Sequence, residues 1–497
     1  MANAQTATVT LSKEFVLKNS GLNNNAGVTF KLGDYCYSIA FDYKNIQLLY
    51  TAKLDRVKYN INISKYDADM KEISKIKLNN GEREYGPFPP QALIQNNKLL
   101  LFFYQAQKDH SITLRVTIFD PETFTETATN DIYTIPEKNV GLFKVEGAIR
   151  RNSLKLVRSA NQKELLVAQS GNTNEIFTCI LNSNNEITKP TVSPISENLN
   201  DFKLQNLFLD GSGNKYFSYT YVANNLNKRG ILVQNNKGKE GYLDFTTGQA
   251  GWDSNTLNFC PANHDSTMYL YANYYGNYMD EGVLLSSVNA ESLTLDSVQL
   301  FPYTDDIKVK MNKLGFGSKN KGNLTVDRVD YVSTVLADGT VALSGFPAYS
   351  VTVSNTVFSA AGPVINVFIK DGRCNFAILY RKERWTDAAA LITTAYKNNL
   401  VCIYCDSRKN LALGNAWDVK NIDEPDDLVL VQAVISSDGT ILSKKEIAAD
   451  PVGSNYYYIN NYQKPLPNSY LIPVGSERAN MMSNYTEIVQ WAKLDIE

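Results

Sequence analysis

The residues best suited to chemistry are few and scattered in this sequence. Cys402 and Cys405 form a C-x-x-C pair, a spacing found in zinc sites and redox centres. They lie in the apolar run Leu400–Cys405, which reads as a strand, and residues three apart on a strand point to opposite faces. The two thiols are therefore not expected to converge on one ion, and no second C-x-x-C is present to complete a zinc site. We predict buried structural cysteines and no metal site.

Other side chains with catalytic potential occur in predicted turns and polar segments. The two histidines, His110 and His264, both fall in predicted turns. Asp305-Asp306 is one of several carboxylate pairs that glycoside hydrolysis would need, but charged residues are expected in such polar segments anyway. Gly315–Gly322 resembles a phosphate-binding loop, yet it lacks both the strand-then-helix context and a Gly-Lys-Ser/Thr. The sequence predicts no catalytic residue and no cofactor.

Tyrosine provides the strongest binding candidates. The chain has 30 tyrosines, and five of them lie in the segment Met268–Tyr278. A tyrosine ring has a large apolar face and a polar tip, which suits protein interfaces and sugar platforms. Tyr269 and Tyr271 share one face of a predicted strand and are expected to pack internally. The candidate interaction residues, close to predicted turns and loops, are Tyr274, Tyr275, Tyr278, Trp252, Arg384 and Trp385.

Composition excludes several classes of protein. The 497 residues include 49 basic and 51 acidic side chains, and this near-zero net charge gives no electrostatic footprint for a nucleic-acid partner. The hydrophobic fraction of 43% is that of a globular chain. No apolar run reaches the length of a transmembrane helix.

The elements that must position these residues are predicted to be strands. Helical periodicity is almost absent, and the best helical candidate is the short piece Thr386–Leu391. Apolar runs instead alternate with turns rich in Asn, Asp, Gly and Lys, and the segment Pro90–Tyr104 is the clearest hairpin. Eight such hairpin units follow one another, and most of them lead into two further strands.

Repeats of four short strands, spaced by roughly 50–70 residues, are typical of a β-propeller. We therefore predict an all-β chain in which residues 6–497 form a single propeller of seven or eight four-stranded blades, and the repeat count favours eight. The N-terminal strand is expected to pair with the last blade and close the ring. A loop insertion is predicted near residues 304–327. The alternative is a tandem pair of β-sandwich domains.

The first residues suggest export. Ala2-Asn-Ala-Gln5 resembles the end of a signal-peptidase site, so residues 1–5 are interpreted as a residual cleavage region. This predicts a periplasmic or extracellular protein, and the alternative is an ordinary cytoplasmic start. With its repeat form and Asn-rich turns, nearly the whole chain resembles the exported β-propeller proteins of Bacteroidota. In size and composition it is similar to the soluble subunit that plugs the translocon pore of the type IX secretion system.

These observations lead to two functional expectations. The first is a non-enzymatic binding or scaffold protein of the cell envelope that binds a partner protein, and the resemblance implies an outer-membrane translocon as that partner. The alternative is a carbohydrate-binding or glycan-cleaving propeller, for which the ligand would be a glycan.

Overall fold

The computed structural model describes most of the chain, and it divides into two compact units. The first unit comprises Met1–Lys18, Thr246–Arg478 and Thr486–Glu497, and the second comprises Asn19–Phe245 and Ala479–Tyr485. The described residues are 7–11, 17–18, 28–44, 58–67, 71–79, 91–107, 109, 111–135, 154–170, 175–188, 190–194, 200–223, 226–244, 251–252, 257–262, 267–275, 281–317, 319–320, 323–324, 326, 328–353, 356–381, 383–384, 391–411, 419, 428–448, 456–457, 463–466, 469–480 and 483–496.

The chain is all-β, as predicted. Its first two described strands, which belong to the first unit, are β1 (Ala7–Leu11) and β2 (Leu17–Lys18).

The second unit contains four consecutive four-stranded antiparallel sheets among its described residues. The first of these is β3 (Val28–Leu32), β4 (Tyr35–Lys44), β5 (Lys58–Tyr66) and β6 (Glu72–Asn79). The next is β7 (Gln91–Gln95), β8 (Lys98–Ala106), β9 (Ile112–Asp120) and β10 (Thr125–Ile135). The third is β11 (Lys155–Arg158), β12 (Leu165–Ser170), β13 (Glu175–Leu181) and β14 (Thr191–Pro194). The fourth is β15 (Asn200–Leu209), β16 (Lys215–Ala223), β17 (Leu226–Gln234) and β18 (Glu240–Asp244).

The first unit continues with the same kind of sheet, enlarged by short extra strands. Its first sheet is β19 (Gly251–Trp252), β20 (Asn258–Pro261), β21 (Thr267–Tyr275), β22 (Glu281–Asn289), β23 (Thr294–Leu295) and β24 (Gln299–Pro302). A helix, α1 (Asp305–Leu314), and a small hairpin, β25 (Lys319–Asn320) and β26 (Asn323–Leu324), follow it. The next sheet is β27 (Val329–Val335), β28 (Val341–Val353), β29 (Thr356–Ala361), β30 (Val364–Lys370), β31 (Arg373–Leu379) and β32 (Glu383–Arg384).

Two further sheets complete the first unit. One is β33 (Leu391–Tyr396), β34 (Asn399–Ser407), β35 (Leu428–Ser436) and β36 (Ile441–Ala448), with a 3-10 turn at Arg408–Asn410. The other is β37 (Tyr456–Tyr457), β38 (Gln463–Leu466), β39 (Ser469–Asn480) and β40 (Ser483–Ile496), to which β1 and β2 add. Four successive antiparallel strands are the strand order of a propeller blade.

The predicted pairing of the N-terminal strand with the last sheet is confirmed. β1 pairs with β40 in antiparallel register, with Ala7 opposite Ile496 and Leu11 opposite Ala492. Ala7, Ala492 and Ile496 are buried in one apolar cluster with Ile472 and Val474 of β39. The strand therefore covers what would otherwise be an open edge of β40.

The hairpin turns also form as their sequences predict. Asn96 and Asn97 connect β7 to β8, and both have positive φ angles, of 47° and 59°. A type I′ turn requires this conformation at its two central residues, and asparagine adopts it more readily than most residues. The asparagines of such a turn are thus explained by the backbone conformation that the turn requires.

The predicted loop insertion at 304–327 is wrong in part, because α1 occupies its first half. Thr304 caps the helix by accepting a hydrogen bond from the Ile307 amide, and Gly315 ends it with φ of 85°. Ile307 and Met311 bury the inner face of the helix against the strands of its unit. Such a short stripe is hard to detect by periodicity, but the capping residues at both ends were visible in the sequence. The other helical candidate lies at residues 386–390, outside the described residues, while Leu391 begins β33.

Candidate functional site

Four of the six predicted interaction residues fall in the described residues, and they lie in two sheets of the first unit. Trp252 lies in β19, where it is paired in register with Tyr274 of β21. Tyr274 is 2% exposed, so the prediction that it is a contact residue is wrong. Tyr274 lies on a central strand, between β19 and β22. Tyr275 is half-buried at the end of the same strand and lies opposite Gly251. Tyr278 and Trp385 lie outside the described residues.

The remaining candidate, Arg384, lies at the base of a feature that the sequence analysis missed. It pairs with Ala360 of β29, and β29 forms a hairpin with the second half of β28. β28 pairs with β30 as far as Gly345 and with β27 as far as Pro347, and beyond Pro347 its register continues with β29 alone. We call the described residues 348–353 and 356–361 the hairpin arm.

One edge of the hairpin arm is open. Val353 and Thr356 form the last pair of the register, and they are only three residues apart in sequence, so they must exchange both backbone hydrogen bonds. Hydrogen bonding alternates along an antiparallel pair, so the backbone groups of Ser350 and Thr352 point away from β29. Beyond Pro347, the described part of the chain places no strand against that edge.

The composition of the hairpin arm differs from that of a protected edge. Natural edge strands are usually guarded by charged residues, proline or bulges. The chain is 20% charged, yet no charged residue occurs between Asp338 and Lys370, and the hairpin arm itself contains neither glycine nor proline. By contrast, the strand that covers the base of β29 is Glu383-Arg384. This long uncharged stretch is the signal in the sequence by which the hairpin arm could have been found.

A second feature of the first unit is a cleft of about 470 Å³ beside α1, which we call the helix cleft. It lies among α1, β31 and β36, and its lining residues are Thr304, Asp306, Ile307, Lys310, Cys374, Asn375, Phe376, Ile378, Tyr380 and Ile441. Lys310 contacts Asp306 with 2.6 Å between Nζ and Oδ2. Partial burial lowers the pKa of Lys310, but the neighbouring Asp306 and Tyr380 outweigh it, so that this pKa is raised.

A buried polar cluster adjoins the helix cleft through Tyr380. The Nζ of Lys444 lies 3.1 Å from the Oδ2 of fully buried Asp406 and 2.9 Å from the Asn410 carbonyl oxygen, and it reaches the Tyr380 carbonyl oxygen at 3.5 Å. Burial raises the pKa of the Asp406 carboxyl, while Lys444, Asn410 and Arg381 oppose that shift. Arg381 is itself fully buried, and its guanidinium lies 4.7 Å from the centroid of the Phe346 ring. The cluster cross-links neighbouring strands in the interior of the unit.

The cysteines behave as their strand positions predict. Cys402 packs in one apolar cluster with Leu400 and Tyr404, whereas Cys405 packs in another with Val401 and Ile403. The opposite-face interpretation of the C-x-x-C pair is therefore confirmed. The six cysteines of the chain form no disulfides. Within the described ranges, no group of three or more His, Cys, Asp or Glu side chains is placed to hold a metal ion.

Other predicted groups fall as follows. Asp305 and Asp306 lie in the first turn of α1 and not in a loop. His110 and His264 are outside the described residues. No helix in the described part of the chain is both long enough and apolar enough to cross a bilayer.

Comparison with known proteins gives only distant likenesses. No family model matches the sequence, and no curated protein matches it. Among solved structures, the polysaccharide lyase Uly1 is similar at 10% identity and a TM-score of 0.43, covering 95% of this chain and 98% of that one. The WD40 domain of SCAP from fission yeast is similar at 8% identity and a TM-score of 0.37, covering 98% of both chains. The BP39L lectin from Burkholderia pseudomallei is similar at 10% identity and a TM-score of 0.34, covering 80% of this chain and 97% of that one. Likenesses at these scores carry no functional argument.

Proposed function

We propose that this chain is a non-enzymatic binding protein that holds a partner protein through the hairpin arm. The observation that supports this function is the open, uncharged backbone edge of β28 beyond Pro347. An unpaired strand edge of this kind is a ready template for another strand. A chain that leaves such an edge unguarded risks aggregation, and this risk is removed when a partner occupies the edge.

The proposed mode of binding is strand addition. An extended segment of the partner pairs with β28, and its backbone exchanges hydrogen bonds with Ser350 and Thr352. Main-chain hydrogen bonds provide affinity in this mode, while the side chains on each face of the added strand provide specificity. Because the hairpin arm carries no charge, the complementary segment is an uncharged one.

In the proposed architecture, the eight larger sheets are the blades of one propeller ring. Each has the antiparallel strand order of a blade, and β1 serves as the fourth strand of the last one. Such a ring would be the scaffold that carries the hairpin arm. Electron microscopy of single particles tests this directly, because eight radial blades are expected and two separate sandwiches would contradict the proposal.

The proposed cellular context is the envelope of an exporting bacterium, with an outer-membrane translocon of the type IX system as the narrower candidate partner. This context rests on the residues Ala2-Asn-Ala-Gln5 and on the resemblance described above.

The experiment that tests the proposed function is cross-linking from the hairpin arm in the native cell. A photoreactive phenylalanine analogue at position 350 is expected to give one dominant adduct with another protein, which mass spectrometry identifies. An adduct with a second copy of this chain would contradict the proposal. A translocon subunit in the adduct would support the narrower role in the type IX system. A different partner protein would refute that narrower role.

The identified partner is then purified and its affinity measured with two matched variants. Thr352→Pro removes an outward amide, and about 1 kcal/mol for the lost hydrogen bond predicts binding at least about fivefold weaker. Thr352→Val keeps that amide and is expected to bind like the unaltered protein. Equal affinities for the two variants, at equal melting temperatures, would refute strand addition.

A further inference from the structure

The helix cleft contains the elements of a small-ligand site, and they come from three different parts of the first unit. α1 and its N-cap contribute Thr304, Asp306 and Lys310. β31 contributes Asn375 and Phe376, and Tyr380 comes directly after that strand. Gly439, in the turn before β36, approaches the backbone of Phe376 and the side chain of Asn375. The cleft thus lies where β31 and β36, the end strands of two consecutive sheets, meet α1. Its volume of about 470 Å³ falls within the usual range of ligand pockets, about 300–1,000 Å³.

The chemistry of the lining favours a polar, uncharged ligand. Two partly exposed aromatic rings, Phe376 and Tyr380, offer apolar faces. Around them are a carboxylate, an ammonium, a carboxamide and a hydroxyl, from Asp306, Lys310, Asn375 and Thr304. The ammonium of Lys310 is already neutralised by Asp306 at 2.6 Å, so the site presents no net positive charge to an anion. A ligand with alternating hydroxyl groups and C–H faces matches such a lining. Each ligand hydroxyl can both donate and accept a hydrogen bond, and an aromatic ring of the protein can pack on the ligand's apolar C–H groups.

We propose that the helix cleft binds a neutral saccharide, with Phe376 and Tyr380 as the stacking surface and Asp306 and Asn375 as hydrogen-bonding residues. Another cleft provides a contrast. It lies in the second unit, has a volume of about 560 Å³, and is lined by Asn96, Lys98, Ile118, Thr127, Ala128, Asn130, Ser183, Asn184, Asn185, Glu186 and Ile187. It is rich in amides but has no aromatic ring in its lining, so it lacks a stacking surface for a sugar.

The test is a binding titration of the full chain with defined oligosaccharides. The probes are the hexasaccharides of cellulose, laminarin, amylose, xylan and mannan, with hexagalacturonate as the anionic comparison. Calorimetry and saturation-transfer NMR are expected to detect at least one neutral probe binding more tightly than hexagalacturonate. Failure of every neutral probe to bind, or a preference for hexagalacturonate, would overturn the proposal.

Two acidic residues of the same helical turn supply a matched pair of variants. Asp306→Asn removes a charged acceptor from the lining and is expected to weaken saccharide binding by about 10- to 100-fold. Asp305→Asn makes the same change in the first turn of α1, but Asp305 does not line the cleft, so its affinity is expected to be unchanged. Phe376→Leu keeps an apolar side chain without a ring and is expected to reduce binding by about tenfold. Equal effects of the two aspartate variants would overturn the assignment of this cleft.

Discussion

The buried pair of Lys444 and Asp406 gives the sharpest test of how the first unit is stabilised. In Lys444→Met the apolar stem is kept and the ammonium is lost. The side chain of Lys444 is 12% exposed and that of Asp406 is 0% exposed, so solvent cannot replace the missing charge. The carbonyl oxygen of Asn410, 2.9 Å from Nζ, also loses its donor.

The expected cost follows from what Asp406 retains. Removing one partner of a buried ion pair typically costs about 3–5 kcal/mol. The carboxylate keeps two neutral donors, the Ser407 amide at 2.8 Å and the Asn410 side-chain amide at 2.9 Å. We therefore expect a value near the lower end, about 3 kcal/mol at pH 7.

The pH dependence has a definite sign. Burial already raises the pKa of Asp406 above its ordinary value. The folded protein is therefore more stable at low pH, where this carboxyl is protonated. Part of that stability is lost as the pH rises and the carboxyl ionises in the folded chain. Loss of the Lys444 charge raises that pKa further. The stability difference between the unaltered protein and Lys444→Met is therefore expected to be largest at pH 7 and smaller at pH 5.

Urea unfolding at both pH values measures this difference, and Lys445→Met, the same change one residue further along β36, is the control. The double variant Asp406→Asn/Lys444→Met removes both charges and is expected to recover at least about 1 kcal/mol relative to Lys444→Met alone. A cost below about 1 kcal/mol at pH 7, or a deficit that grows towards pH 5, would refute the reasoning.

Three further predictions concern packing and thiol chemistry. Gly345→Ala would place a Cβ 2.4 Å from the Asp330 carbonyl oxygen and is expected to lower the free energy of unfolding by about 2–3 kcal/mol, whereas Gly211→Ala, whose Cβ meets nothing nearer than 3.8 Å, should be close to neutral in the same urea assay. Met311→Ala empties a fully buried position of α1 and is expected to cost about 2–5 kcal/mol in the unfolding free energy. Cys374 is half-buried while the other five cysteines are buried, so mass spectrometry after brief iodoacetamide treatment is expected to find Cys374 alkylated first. Burial raises the pKa of Cys374 to about 12, so its alkylation rate should rise about tenfold per pH unit between pH 7 and pH 9.

The fold could be predicted to the extent that local chemistry specifies it. Turn residues such as Asn96 and Asn97 and the alternation of apolar runs depend on neighbours in sequence, and these elements form where they were expected. The opposite faces of Cys402 and Cys405 follow from strand geometry alone. Tyr274 was misassigned because its exposure depends on what packs on the face of the sheet to which it points, and local sequence does not specify that packing.

The two candidate sites were missed for a related reason. The helix cleft combines residues from α1, β31 and β36, which are separated by long stretches of chain, and no spacing rule connects them. The hairpin arm depends on where β27 and β30 stop pairing with β28. The start of a strand can be read from its residues, but the point at which its neighbours end depends on the neighbours' own sequences.

The contrast between two edges of the first unit supports the proposed binding role of the hairpin arm. The last long strand, β40, is covered by β1 between Ala492 and Ile496 and by β2 at Glu487 and Ile488. Because these covering strands come from the opposite end of the chain, this coverage requires long-range closure with a substantial entropic cost. Within the described residues, the edge of β28 at Ser350 and Thr352 is left unpaired, and its sequence carries no charge. This second edge has the properties that the proposed strand addition requires.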